Sequence, residues 1–198
     1  MPCVRQPLPC PGVDLNDEQL PRHCLHSVSY THLNRFVLGK AGINSFAIFG
    51  INPSTADECN SDRTIDKIEK LIKAWNFNGF LMFNLYPFRT PSPENLPSVK
   101  DGALIKYNTE KIRKQLQKSQ TCLVWAAWGD AFDTQDYFKD CLEEILRETK
   151  DLNLEWNRCE SFTEAQNPRH PLAGRPHIIT EQSQLTKFDA EEYWRRKK

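Results

Sequence analysis

The chain has 198 residues, 39% of them hydrophobic, and its 26 lysines and arginines equal its 26 aspartates and glutamates in number. This length and composition predict one packed domain and argue against two. The absence of net charge excludes binding of nucleic acid through an overall basic excess, so any nucleic-acid site must be local.

Seven cysteines are spread over the chain, and no two of them form a Cys-x-x-Cys pair. An odd number at such distances is typical of a reduced, cytoplasmic protein with free thiols. We therefore expect no metal and no cofactor, although distant cysteines could still be the ligands of an iron–sulfur cluster. The chain also lacks an apolar run long enough to span a membrane, so we expect no membrane partner.

The two ends differ in composition from the rest of the chain. The segment MPCVRQPLPCPG at residues 1–12 has four prolines, which predicts an irregular N-terminal arm over residues 1–27. Residues 195–198 are all basic, and a short charged end is usually solvated and frayed. We therefore expect a globular domain over residues 28–190 and a basic tail without regular structure over residues 191–198.

Strand and helix signals alternate along the middle of the chain. Three apolar runs of strand type lie at residues 45–51, 79–88 and 121–128. Helical spacing of apolar side chains predicts helices after Asp62, which can supply the N-cap, over about residues 101–118, and directly after Gly129. This alternation predicts an α/β fold, here a single domain with a central, mostly parallel four-stranded sheet and helices on both faces.

In such sheets, ligands bind in the loops at the carboxyl ends of the strands. Asn52 precedes a proline, which favours an extended backbone and can direct its amide outward to hold a water molecule; alternatively, Asn52 only stabilises the turn. Ser54 and Thr55 could contact a phosphate or could be ordinary turn hydroxyls. Asp57 and Asp62 could form a carboxylate pair or share a metal ion, or Asp62 could cap the helix while Asp57 orders the loop.

Further polar and aromatic candidates follow the other strands. Asn84 lies between apolar neighbours, where an unpaired amide costs free energy, so it either reads the edge of a base or bonds a neighbouring loop. His170 lies in a loop between two prolines, and its imidazole is either held in place to bond a leaving group or simply exposed. Tyr86 and Trp128 lie near strand ends and could stack on a base, whereas Trp125 is more typical of a core.

Four segments, in their order along the chain, resemble motifs of the uracil-DNA glycosylase superfamily: GINPS, GFLMFNLYPFR, CLVWAAWGDAF and RHPLAG. The first is similar to the water-activating motif of the mismatch-specific and thymine-type glycosylases. The second resembles the strand whose last asparagine reads uracil, and the third resembles the strand that ends in Trp-Gly. The fourth resembles the His-Pro loop that contacts the leaving base, and the whole resemblance covers about residues 28–178.

A second resemblance rests on a longer signature. The segments NPSTAD, DRT at residues 62–64 and RHPL at residues 169–172 are similar to those of a protein family of unknown function, which we expect to share the same fold. The last motif departs from the glycosylase pattern, because it reads His-Pro-Leu where the glycosylases usually have His-Pro-Ser. One phosphate-binding hydroxyl of the glycosylases is therefore missing.

The resemblance implies a monofunctional DNA glycosylase that hydrolyses the N-glycosidic bond of a flipped-out modified pyrimidine and leaves an abasic site. Asn52 would position the water, His170 would bond the leaving base, and Asn84 would pair with its Watson–Crick edge. The base pocket would also include Ser54, Tyr86 and Trp128. Contacts with the DNA would come from Thr55, from Arg169, from Leu172 as a wedge, and from Arg175.

Ser54 stands where the narrow uracil-specific relatives have a tyrosine that blocks substituents at the pyrimidine 5-position. The resemblance thus implies a 5-substituted cytosine or uracil, such as a hypermodified viral base, or uracil itself, with repair and antiviral defence as candidate roles. The alternatives are an enzyme that acts on free nucleosides or nucleotides and a non-catalytic reader of modified DNA. We expect a monomer that has DNA as its partner.

Overall fold

The computed structural model of the protein describes residues 26–31, 33–40, 42–54 and 62–198. Two candidate site residues, Thr55 and Asp57, lie outside the described residues, as does most of the predicted N-terminal arm.

Seven strands and four α-helices, numbered in chain order, form the described part of the chain. The strands are β1 (His26–Thr31), β2 (Asn34–Lys40), β3 (Ser45–Gly50), β4 (Gly79–Asn84), β5 (Leu123–Ala126), β6 (Glu155–Cys159) and β7 (Leu185–Lys187). The α-helices are α1 (Arg63–Ala74), α2 (Gly102–Ser119), α3 (Tyr137–Glu148) and α4 (Ala190–Lys197). Short 3₁₀ helices span Pro93–Asn95, Gly129–Thr134 and Lys150–Leu152.

One mixed sheet, in the order β1-β2-β4-β3-β5-β6-β7, joins all of these strands. Neighbours among β4, β3, β5 and β6 are parallel, whereas β1, β2 and β7 form antiparallel pairs. The prediction of an α/β fold is confirmed, but the expected number of four strands is wrong, because β1, β2 and β7 extend the four parallel strands through antiparallel pairs. These strands have weak sequence signals, since polar residues interrupt β1 and β2 and β7 has only 3 residues.

Helix α1 covers one face of the sheet. The Oδ1 of Asp62 accepts hydrogen bonds from the main-chain N–H groups of Thr64 and Ile65, at 2.9 Å each, so the prediction that Asp62 caps this helix is confirmed. The buried side of α1 consists of Ile65, Ile68, Leu71 and Ile72. These side chains share a core cluster with Trp125, which is buried as expected.

Helices α2, α3 and α4 cover the opposite face, and α2 confirms the helix predicted over residues 101–118. Alternate residues of β3 show the division between the faces. Ala47 and Phe49 pack under these three helices, whereas Phe46 and Ile48 pack under α1. None of the helices in the described ranges is long and apolar enough to cross a lipid bilayer.

The helix predicted after Gly129 is present as α3, although a 3₁₀ helix over Gly129–Thr134 comes first and α3 begins only at Tyr137. The prediction for the C-terminal end is wrong. The basic C-terminal run is not a structureless tail but the second half of α4. Acidic residues in its first turn and basic residues in its last turn favour the helix, and the buried Tyr193 anchors it in the core.

Asp101 is the N-cap of α2, and its Oδ1 accepts hydrogen bonds from the N–H groups of Ala103 at 2.9 Å and Leu104 at 3.0 Å. We expect Asp101→Ala to lower the free energy of unfolding by about 1 kcal/mol, because both N–H groups lose their partner. Asp101→Asn keeps a capping oxygen and should stay within about 0.5 kcal/mol of the wild type. Urea unfolding measures both variants, and equal losses would contradict the capping role.

Candidate functional site

A cavity of about 330 Å³ opens at the carboxyl ends of β3, β4 and β5, the edge at which parallel sheets usually bind ligands. Strand pairing explains its place, because Gly50 at the end of β3 lies opposite Asn84 at the end of β4, and Phe49 lies opposite Ala126 of β5. The loops that follow the three strands therefore begin side by side. The volume suits a small organic group.

Six of the predicted site residues line this cavity: Asn52, Ser54, Asp62, Asn84, Trp128 and His170. Four others do not line it: Tyr86, Arg169, Leu172 and Arg175. Segments that are far apart in the sequence thus contribute to one place in the fold.

Asn52 is fixed by its own amide nitrogen. Its Nδ2 donates hydrogen bonds to the carbonyl oxygens of Thr90, at 2.9 Å, and Pro53, at 3.2 Å. These bonds tie the turn after β3 to the loop after β4, as the turn-stabilising alternative requires. They also use both protons of the amide, so Oδ1 is the side-chain atom that remains to accept a hydrogen bond from a ligand or a water molecule.

Asn84 is 2% exposed, and no described residue forms a hydrogen bond with its Oδ1. Its main-chain oxygen is paired, because it accepts a hydrogen bond from the Nδ2 of Asn108 at 2.9 Å. A buried amide oxygen without a partner costs about 1–3 kcal/mol. The side-chain oxygen therefore does not bond a neighbouring loop of the described chain, and its position in the cavity wall leaves it available to a polar ligand or a water molecule.

His170 is half-buried, and a single hydrogen bond fixes the orientation of its ring. The main-chain N–H of Leu172 donates to Nδ1 at 3.2 Å, so the neutral imidazole carries its proton on Nε2. Burial lowers the pKa of His170, and the negative charge of Asp62 opposes this effect only in part. His170 is therefore a neutral hydrogen-bond donor at neutral pH.

Gly129 lets the loop of His170 approach the end of β5. Its N–H donates to the carbonyl oxygen of Pro168 at 2.9 Å. A Cβ atom at residue 129 would lie 3.0 Å from the Cβ of His170, and the φ of Gly129 is 65°. Only glycine adopts this conformation without strain and leaves room for the histidine.

Asp62 and Ser54 form a pair at the start of α1. The hydroxyl of Ser54 donates to Oδ2 of Asp62, while Oδ1 of Asp62 caps the helix. The hydroxyl proton is thus committed within the protein and is not offered to a phosphate. Among the described residues no group of His, Cys, Asp and Glu side chains could hold a metal ion, and the proposed pairing of Asp62 with Asp57 lies outside the described residues.

The two aromatic candidates for base stacking, Tyr86 and Trp128, are both buried in the core. The ring of Tyr86 lies 5.1 Å from that of Tyr137, and its hydroxyl accepts a hydrogen bond from the N–H of Asp101 at 3.3 Å. Trp128 lines the cavity, but its ring is surrounded by the aromatic rings of Phe132, Trp156, Phe188 and Tyr193. Packing of α3 and α4 against these positions was not visible in the local sequence.

The predicted DNA contacts have three different outcomes. The guanidinium of Arg169 donates to the carbonyl oxygens of Ser161, at 2.9 Å, and Phe162, at 2.8 Å, so it braces the chain instead of facing a phosphate. Leu172 is 40% exposed, and Arg175 is exposed as well, so both are accessible to a partner. Thr55 lies outside the described residues.

Arg35 is a cavity residue that the sequence reasoning missed. It belongs to β2, lines the cavity and is 3% exposed. Its N–H donates to the carbonyl oxygen of Pro87 at 2.9 Å. The sequence feature that could have identified Arg35 is a charged residue at the start of the apolar run RFVLG. Such a residue is unusual in a strand, because an arginine keeps its positive charge and has only donor groups.

Residues 34–172 match the model of a family described as a protein of unknown function (DUF1643). The match covers more than half of the chain, so the chain belongs to this family. It also includes every residue that lines the cavity. A comparison with curated proteins found no match. The family's description assigns no activity, so the resemblance to uracil-DNA glycosylases stays a prediction.

The effect of the Asp62 charge on the pKa of His170 gives a test of the site's electrostatics. Asp62→Asn removes the negative charge that raises the pKa of His170 and keeps an N-cap, so the pKa of His170 should fall further. An NMR titration of the His170 ring measures this change, with Asp101→Asn as a control at a helix cap that does not line the cavity. A pKa of His170 that rises or stays constant in Asp62→Asn would contradict the assigned geometry.

Proposed function

We propose that this protein is a DNA glycosylase with a uracil-DNA glycosylase-like fold, which hydrolyses the N-glycosidic bond of a pyrimidine nucleotide flipped out of DNA. The observation that carries the proposal is the arrangement of Asn52, Asn84 and His170 around one cavity. Each of these side chains has a polar atom that no described residue bonds: Oδ1 of both asparagines and Nε2 of the histidine. The parallel strands β4, β3, β5 and β6 support the proposed fold.

The proposed reaction adds one water molecule across the bond between the sugar and the base. The bonding electron pair stays with the base, and the water oxygen forms the new bond to C1′. The water gives up one proton to the solvent, and the departing base takes one up. Positive charge grows on the sugar and negative charge on the base, so the site must stabilise both.

Asn52 holds the attacking water through Oδ1, because its Nδ2 is committed to Thr90 and Pro53. An amide oxygen is a weak proton acceptor, so Asn52 orients the water and does not deprotonate it. The carboxylate of Asp62 lies in the same cavity wall, and its negative charge favours the cationic sugar.

His170 stabilises the departing base. Its Nε2–H donates to a base oxygen, and this bond strengthens as negative charge accumulates there. The lowered pKa of His170 keeps the ring neutral, so the ring donates a hydrogen bond and retains its proton. The permanent charge of the buried Arg35 in the cavity wall adds to this stabilisation.

Asn84 pairs with the Watson–Crick edge of the base. Its unbonded side-chain oxygen and its amide nitrogen offer one acceptor and one donor site. An amide can present either atom, so Asn84 alone does not separate uracil from cytosine. The substrate class therefore includes both 5-substituted uracils and 5-substituted cytosines.

Two exposed residues that follow His170 in the chain are the proposed DNA contacts from the described residues. Leu172 is the proposed wedge for the gap that the flipped nucleotide leaves, since its side chain is exposed beside His170. Arg175 is exposed and remains the candidate phosphate contact, because the Arg169 guanidinium donates to the carbonyl oxygens of Ser161 and Phe162. Because Arg175 is the one charged DNA contact proposed from the described residues, we expect binding that depends weakly on salt.

Base release from DNA tests the proposed function. We expect the wild type to release at least one base from a panel of duplex and single-stranded DNAs that contain uracil, mismatched thymine or 5-substituted pyrimidines. Asn52→Ala should lower this release at least about 100-fold, because the water loses its positioning group. The matched control is Asn44→Ala, which removes an amide that bonds the main-chain oxygen of Asn76 outside the cavity.

The base-release assay has three informative outcomes. Release by the wild type and Asn44→Ala, and its loss in Asn52→Ala, is the expected pattern. No release from any DNA by the folded wild type would overturn the proposed activity. Equal release by Asn52→Ala and the wild type would overturn the role of Asn52 but not the activity.

Ser54 gives a test of the pocket's width. Ser54→Tyr should lower the release of a 5-substituted base at least about 10-fold relative to uracil, because the larger side chain fills the space of the substituent. Ser54→Ala removes the hydroxyl without adding bulk and should keep the wild-type preference. Circular dichroism checks that both variants fold. Unchanged release of the 5-substituted base by Ser54→Tyr would contradict the placement of Ser54 beside the 5-substituent.

A second candidate function is the hydrolysis of free nucleosides or nucleotides. The formal net charge of +0 and the internal bonding of Arg169 favour it, because both reduce attraction to a DNA backbone. The same assay decides between the two functions when free nucleosides and nucleotides are included as substrates. Faster turnover of a free nucleoside than of the same nucleoside in DNA would support the second candidate.

A further inference from the structure

We infer that helix α4 belongs to the functional site, and that Tyr193 is a positioning residue that fixes the loop of His170. The family match ends at residue 172, so α4 lies outside the matched segment. The inference rests on the proposed function only in the experiments that measure activity. The positioning itself can be tested without any activity.

Asn167 is the centre of this arrangement, and it is 0% exposed. Its side-chain Nδ2 donates to Asp130, at 2.9 Å, and to Asp133, at 2.7 Å. Its main chain is held by Thr163, which accepts from the N–H at 3.1 Å and donates to the carbonyl oxygen at 3.0 Å. The remaining side-chain atom, Oδ1, accepts a hydrogen bond from the hydroxyl of Tyr193 at 2.7 Å.

The Tyr193 hydroxyl uses both of its hydrogen-bonding functions. It donates to Asn167 and accepts from the indole N–H of Trp128 at 3.2 Å. Burial raises the pKa of Tyr193, so the hydroxyl stays protonated over the ordinary pH range. A hydroxyl can donate one hydrogen bond and accept another. A phenyl ring in its place would leave Oδ1 of Asn167 and the indole N–H of Trp128 without this partner.

A second bond set ties α4 to the same loop. The Nζ of Lys197 donates to both carboxylate oxygens of Asp133 and to the carbonyl oxygen of Ala165, each at 2.9 Å. Burial alone would raise the pKa of Asp133, but hydrogen bonds from Asn167 and Lys197 outweigh it and lower the pKa. Asp133 is therefore a charged acceptor at neutral pH.

The hydrogen bonds of Asn167 also restrict the position of His170, because the two residues are close in the chain. Asn167 precedes His170 by three positions, and the intervening Pro168 has a fixed φ. The carbonyl oxygen of Pro168 also accepts from the N–H of Gly129. A shift of Asn167 therefore moves the His170 ring relative to the end of β5, and a misplacement of about 1 Å can cost about 100-fold in rate.

Tyr193→Phe is the direct test, because it keeps the ring and removes only the hydroxyl. We expect kcat for base release to fall at least about 10-fold while KM changes less than about 3-fold, since positioning acts on the chemical step. Tyr137→Phe is the matched control. It removes a buried hydroxyl that no described residue bonds, from the same core cluster and outside the cavity.

The second readout is the NMR signal of the His170 ring, which does not depend on activity. In the wild type we expect nitrogen-15 shifts of a single neutral tautomer with its proton on Nε2. Tyr193→Phe should broaden or shift these signals and change the pKa of His170, whereas Tyr137→Phe should leave them unchanged. A merely structural role of Tyr193 would lower the unfolding temperature without these changes.

The outcomes separate the two proposals. Wild-type kcat and unchanged His170 signals in Tyr193→Phe would overturn the positioning role and leave the glycosylase proposal intact. A wild type that releases no base would overturn the glycosylase proposal, and the NMR readout would still decide on positioning. If Tyr193→Phe does not fold, Lys197→Met decides, because it removes the second bond set from a more exposed residue; unchanged His170 signals there would overturn the inference.

Discussion

The parallel pairing of β4, β3 and β5 is the constraint on which the rest of the structure depends. Because Gly50 lies opposite Asn84 and Phe49 opposite Ala126, the three strands end at the same edge of the sheet. The chain must turn there three times, and each turn exposes main-chain groups that need partners. The side chain of Asn52 satisfies one such group in the loop after β4, and the N–H of Gly129 satisfies another in the loop of His170. The bonds that close the turns therefore also bring the polar groups of the site together.

The cavity wall contains a buried side-chain oxygen that no described residue bonds. Where the chain needs only a turn, as at Asn167, every polar atom of the side chain has a partner. In the cavity wall, the Oδ1 of Asn84 is buried without a partner among the described residues, as is the Oδ1 of Asn108 outside the cavity; only the Asn84 oxygen is placed to bond a ligand or a water molecule in the cavity. Asp62 also has two roles, since its Oδ1 caps α1 and its negative charge raises the pKa of His170. Fold stability and the proposed chemistry thus share the same side chains.

Much of this could be predicted from local sequence, and the failures have a common physical cause. The strands β3, β4 and β5, the cap at Asp62 and the clustering of Asn52, Asn84 and His170 follow from apolar runs and their polar ends. The antiparallel strands, helix α4 and the burial of the Trp128 ring depend on contacts between distant segments. Such contacts leave little trace in a window of a few residues, because amphipathic or polar segments are stabilised only after they pack.

The central claim is that the cavity holds a base extruded from DNA. A crystal structure with an oligonucleotide that contains a 2′-fluoro, 5-substituted pyrimidine nucleotide tests it most directly, because the fluorine slows cleavage by destabilising the cationic sugar. We expect the base inside the cavity, its edge on Asn84, a base oxygen within hydrogen-bond distance of Nε2 of His170, and a water between Oδ1 of Asn52 and C1′. An empty cavity with the base still stacked in the DNA would contradict the account.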